Sequence, residues 1–105
     1  MSKDRKTTSS GKPAAPTTLL EELIGQAVVV DMQSQYVCIG TLTRADAHFL
    51  ELRNADLHDL RDTRTSRENY VAASVATGIK RNRQRVLLSC RDIVAITLFK
   101  DIVDE

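Results

Sequence analysis

From Ala27 onward the chain is a succession of short apolar runs broken by polar turns. "AVVVDM" and "YVCIGTL" are dense in β-branched residues and are separated by "QSQ", the pattern of two strands joined by a tight connection. On a pleat, Val28, Val30 and Met32 share one face of the first strand, and Tyr36, Cys38, Gly40 and Leu42 share one face of the second. Gly40, inside that strand, marks a bend or a close backbone approach. After "TRADAH" the segment "FLELRNADL" resumes the alternation, with Leu50 and Leu52 to one side and Glu51 and Arg53 to the other. Together these runs predict a three-strand antiparallel meander.

Two segments switch to helical spacing. In "PTTLLEELIG", Thr18 and Glu21 stand in capping-box spacing, and Gly25 suits the residue after a helix end. A helix of barely two turns fits between them, with Leu19, Leu20, Leu23 and Ile24 on one face as a lid on the sheet. In "TSRENYVAASVATG", about residues 65–78, Thr65 and Glu68 repeat the capping-box spacing and Gly78 terminates. Its stripe is Tyr70, Val71, Val75 and Ile79. The pattern then returns to strands in "KRNRQRVLLSCRDIVAITLF", where Val86, Leu88 and Cys90 point one way and Arg85, Leu87, Ser89 and Arg91 the other. After the turn-prone "RD", Ile93 to Phe99 forms a nearly wholly apolar last strand. An exposed edge of that kind invites pairing with another chain, so self-association through residues 86–99 is expected.

The chain has 105 residues, enough for one modest core. Residues 1–16 are rich in Ser, Thr, Lys, Pro and Gly and read as a disordered basic arm, with the folded domain over 17–105. There is no Trp and aromatics are 4%, so the core rests on Val, Leu and Ile. No apolar run approaches the roughly 20 residues of a membrane span, and the start lacks a secretory signal, so a cytoplasmic protein without membrane association is expected. Cys38 and Cys90 are too few and too far apart for a paired metal motif or a disulfide scaffold; buried reduced thiols are expected.

The net charge is +1, but its distribution is uneven. Residues 17–60 carry seven acids against Arg44 and Arg53, whereas 61–91 carry eight bases against Asp62 and Glu68. Within the basic half, Lys80, Arg81, Arg83 and Arg85 form a candidate nucleic-acid contact. If that stretch is extended, Arg81, Arg83 and Arg85 share a face at a spacing of about 7 Å, near that of successive phosphates on a single strand. Such contacts are salt-sensitive and blind to sequence. A cationic helix cap or a contact with the acidic half of a neighbouring subunit would use the same residues. "DLHDLRD" gathers Asp56, His58, Asp59 and Asp62, but on a strand Asp59 leaves the face shared by Asp56 and His58. A charged rim therefore suits it better than a metal site.

The step from Leu20 through Gly25 into "VVVDM", then "YVCIGTL" and a D-x-H turn, resembles the first motif of the Sm and Sm-like family, with matches at Leu20, Gly25, Val28, Val30, Gly40, Leu42, Asp46 and His48. "RVLLSCRDIVAI" resembles the second, where one apolar strand turns tightly into another through Ser89 to Asp92. The likeness covers roughly Thr18 to Phe99 if the inserted helix is granted as an expanded loop.

This resemblance implies a mainly β fold, a small five-stranded bent barrel of Sm-like, SH3-like type, with a short N-terminal helix and an inserted helix before the fourth strand. It further implies a homo-oligomeric ring and single-stranded RNA bound at loops carrying Asp46, His48, Phe49 and Arg91. The family's uracil-reading asparagine has no counterpart, since Phe49 or Leu50 stands there, and Ser89 and Cys90 replace its Arg-Gly. A barrel of structural or protein-interaction type, such as the PRC kind, shares the same "LIGQAVVVD" and "IGTL" rhythm. No nucleophile with a base, phosphate-cradling glycine loop or paired catalytic carboxylates point to an enzyme, and nothing points to a cofactor.

Overall fold

In the computed structural model, residues 18–62 and 64–103 are described, so the arm over 1–16 lies outside the described residues. Five strands, β1 (Ala27–Met32), β2 (Tyr36–Ala45), β3 (Phe49–Asp59), β4 (Arg83–Ser89) and β5 (Ile93–Leu98), form one sheet of order β4-β3-β2-β1-β5. Each pair of neighbouring strands is antiparallel. The expected meander is β1, β2 and β3. The sheet is bent but not closed: among the described residues β4 and β5 each have one strand partner and stand as its two edges.

The bend is placed by Gly40. A Cβ there would lie 2.8 Å from Ala55 Cβ and 3.1 Å from Arg53 O, so only glycine lets β3 cross this closely. The β2–β3 register shifts between Ile39 and Thr41, opposite Asn54, whose φ of +50° marks the bulged residue.

The apolar runs in β1 and β2 are continuous because both faces are covered. Val28, Val30, Met32, Cys38 and Leu42 join Leu50, Leu52, Ala55 and Leu88 in the main core. The alternate residues Val29, Val37 and Ile39 form a second cluster with Val71 of the inserted helix α1 (Arg67–Thr77). The insert is therefore a second layer on the back of the sheet. It starts one residue later than the spacing predicts. Ser66, not Thr65, is the N-cap, its Oγ accepting from Asn69 N at 3.1 Å. Gly78 ends the helix as expected, at φ +97°. The buried face holds Val71 and Ser74, with Tyr70 and Ile79 beside it, while Val75 faces solvent.

The N-terminal lid is shorter than expected, a single 3-10 turn over Glu21–Leu23. Its capping box is reciprocal: Thr18 N donates to Glu21 Oε1 at 2.9 Å and Glu21 N to Thr18 Oγ1 at 3.1 Å. Elongation stops because Gly25 N is already bonded to Leu42 O at 2.7 Å. A 3-10 turn eclipses i and i+3, so Leu20 and Leu23 reach the core while Leu19 and Ile24 remain exposed. Of the two thiols, Cys38 is fully buried, and burial together with the nearby Asp56 pushes it up to about 12; Cys90 is only partly buried.

Candidate nucleic-acid interface

Two turns that are distant in sequence meet at one end of the sheet. In the β2–β3 turn, Asp46 Oδ1 accepts from His48 N and Phe49 N, both at 2.8 Å, an Asx turn that gives the tight reversal its hydrogen bonds. These N–H groups, His48 first, hold the Asp46 carboxyl below its ordinary value. His48 O in turn accepts from Cys90 N at 2.9 Å, and Phe49 faces Ser89 across β3 and β4. Cys90–Asp92 is a 3-10 turn leading into β5, and Asp92 O accepts from Gln33 N at 2.7 Å in the β1–β2 turn. One short turn is thus tied to both others. Asp46, His48, Phe49 and Arg91 are all exposed, and the turns that carry them are joined. Leu50 is buried in the core, which leaves Phe49, 45% exposed, as the side chain presented where the family resemblance expects an asparagine.

The predicted basic row does not form as one row. β4 begins at Arg83, so only Arg83 and Arg85 stand on a common strand face; Lys80 and Arg81 precede it in irregular chain. That chain is held by Asn82, whose N donates to Ala55 O at 2.9 Å and whose Oδ1 accepts from Leu57 N at 3.0 Å. Lys80 and Arg81 line a separate cavity with Asp56, His58 and Tyr70. There Asp56 is committed: it accepts from the Tyr70 hydroxyl and from Asn82 Nδ2, while the rings of His58 and Tyr70 stack 4.1 Å apart. Burial and that carboxylate raise the Tyr70 hydroxyl above its ordinary value. Asp59 pairs with Arg61 and lies at about 2 as a result. The "DLHDLRD" cluster therefore joins α1 and the turn Leu60–Asp62 to the sheet.

Arg85 acquires partners that strand alternation along one segment does not reveal. Glu51 is only 3% exposed. It accepts from Arg44 at 3.2 and 2.9 Å, from Thr43 Oγ1 at 2.7 Å, and from Arg85 Nε, with Arg53 Nε 3.6 Å away. These donors, Arg44 foremost, hold the Glu51 carboxyl far below the usual carboxylate range. A glutamate between the core leucines Leu50 and Leu52, with Arg44 as its register partner and Arg85 two residues from the other, is the sequence signal for such a centre.

Among solved structures, the fold is similar to that of an Sm protein of Pyrococcus abyssii in complex with a uridine heptamer, at a TM-score of 0.53 and 13% identity over 76% of this chain and 92% of that one. The Sm-like protein from Archaeoglobus fulgidus gives a TM-score of 0.53 and 18% identity over 84% of this chain and 99% of that one. The fold is Sm-like. A chain of the NatC complex bound to CoA is likewise similar, at a TM-score of 0.50 and 18% identity, over 80% of this chain and 88% of that one. No protein-family model matches the sequence, and no curated protein does. The helix α1 sits between the third and fourth strands. No helix among the described residues is long and apolar enough to cross a membrane.

Proposed function

We propose that this chain is a non-catalytic, cytoplasmic Sm-like subunit that assembles with copies of itself and contacts single-stranded RNA. The observation that carries this reading is the joined pair of turns, Asp46–Phe49 and Ser89–Arg91, which expose Asp46, His48, Phe49 and Arg91 at one end of a sheet whose β4 and β5 edges have no further strand partner among the described residues. Leu87 on β4 and Val94 on β5 are exposed apolar side chains on those edges, as a strand-to-strand contact between copies through residues 86–99 requires. The Pyrococcus abyssii neighbour is described with a uridine heptamer, which supports RNA as the ligand class. Phe49 in place of an asparagine can stack a base but cannot read its edge, so affinity without uridine preference is expected.

Light scattering coupled to sizing tests the assembly, since a monomer at micromolar concentration rejects it. Anisotropy of labelled oligo-U and oligo-A tests the ligand. Comparable binding of both that weakens with salt is the expected result, and no binding at low salt rejects the RNA reading.

A second reading is a protein-interaction subunit without nucleic-acid binding. It is favoured by the NatC neighbour, a chain within a protein complex whose bound molecule is CoA. It predicts no oligonucleotide binding at any salt concentration.

A further inference from the structure

Arg44, Arg53 and Arg85 come from three adjacent strands and converge on the single carboxylate of Glu51. Arg53 and Arg85 are direct register partners across β3 and β4, an arrangement of like charges that is unfavourable unless something offsets it. The buried Glu51 does so, but only by one charge out of three. The three arginine side chains are 71%, 53% and 46% exposed, whereas that of Glu51 is 4% exposed, so the carboxylate lies beneath the guanidiniums. Arg53 and Arg85 approach Glu51 through Nε, and no acceptor among the described residues takes their Nη groups. Guanidinium N–H donors in a fixed fork are suited to the oxygens of a phosphate.

Beside the cluster lies an open concavity of about 300 Å³ lined by Arg44, Asp46, Phe49, Glu51, Arg85 and Leu87. Asp46 brings a second carboxylate to its rim, but both N–H groups of the Asx turn already bond to it. Arg83, two residues from Arg85 on β4, extends the positive side of the same strand face.

We propose that this outer face of β2, β3 and β4 binds the phosphodiester backbone of single-stranded nucleic acid, with the Phe49 ring at its margin stacking one base. The face continues from the Asp46–Phe49 turn, so phosphates lie on the guanidiniums and a base lies at the turn. Glu51 is the positioning residue: it fixes the arginine forks and sets the charge of the site. This inference rests on the RNA reading above and assigns its contact surface.

The test is anisotropy of labelled oligo-U with the full chain over a salt series. Replacing Arg44 and Arg53 by Ala together removes two phosphate contacts, so the slope of log affinity against log salt falls by about 1.4, and affinity at low salt falls about 10-fold. Phe49→Ala weakens binding about 10-fold and leaves the slope unchanged. Glu51→Gln raises the cluster by one charge and steepens the slope. Arg44→Lys with Arg53→Lys keeps the charge and restores the slope, which separates the site from a folding defect, and circular dichroism confirms each fold. Arg64→Ala with Lys100→Ala removes equal charge elsewhere and leaves affinity within about 2-fold. If the Arg44/Arg53 double variant binds like the parent chain, the proposed surface is wrong while RNA binding stands. If the parent chain itself binds nothing at low salt, both fall.

Discussion

Gly40 and Ala55 lie against each other where β2 and β3 cross closely, so that any Cβ on residue 40 would sit 2.8 Å from that of Ala55 and 3.0 Å from its Cα. The obstacle is backbone as well as side chain, so the strand cannot yield by a rotamer change. Gly40→Ala is therefore expected to destabilise the fold by about 1–3 kcal/mol, measured by urea unfolding. Gly40→Ala with Ala55→Gly is expected to recover part of that loss, and no recovery would place the cost elsewhere.

The inserted helix is fastened by Tyr70, whose hydroxyl donates to the buried Asp56. Tyr70→Phe keeps the ring stacked on His58 but removes one of the hydrogen bonds to that carboxylate, while Asn82 Nδ2 still donates to it. A loss of about 1–3 kcal/mol is expected, with faster hydrogen exchange in α1 than in β2. Unchanged exchange in α1 would show that Tyr70 does not fasten the helix.

Ser66 and Thr65 separate two placements of the helix start. Ser66 Oγ bonds Asn69 N, so Ser66→Ala should cost about 1 kcal/mol, whereas Thr65→Ala should leave the unfolding midpoint nearly unchanged. The opposite order would return the cap to Thr65.

Acid sensitivity should trace to Glu51. Because its arginine and threonine donors depress its folded-state value below the ordinary 4.5, the stability it contributes is complete above that pH and is lost as the pH falls beneath it. The parent chain should lose stability progressively as the pH falls below about 4.5, and Glu51→Gln should flatten that decline. Identical slopes would mean that the carboxylate is not paired in solution.

Strand content was legible in the sequence because β-branched runs and period-two alternation are local properties. Val28, Val30, Cys38, Leu42, Leu50 and Leu52 face the core as their alternation implies. The Thr18–Glu21 capping box was legible for the same reason, since both partners lie within one turn. The arginine site was legible only in part. Arg85 stands out in its basic run, but alternation sets Glu51 and Arg53 only on the side opposite Leu50 and Leu52, and Arg44 joins them only through the β2–β3 register. Their convergence depends on register across three strands, which no single segment specifies. Arg81 was placed in a row with Arg83 and Arg85 on the assumption of an extended chain, and Asn82 anchors that stretch to β3 in irregular form instead.

The sequence by itself determined the five strands, the insert, the glycine bend and the two turns, because each follows from residue type at short range. Tertiary structure decided that the bent sheet stays open at β4 and β5, that α1 covers the back of β1 and β2, and that three arginines share one buried carboxylate. Those outcomes depend on long-range register and on which apolar faces can be covered at once, and only the folded chain resolves them.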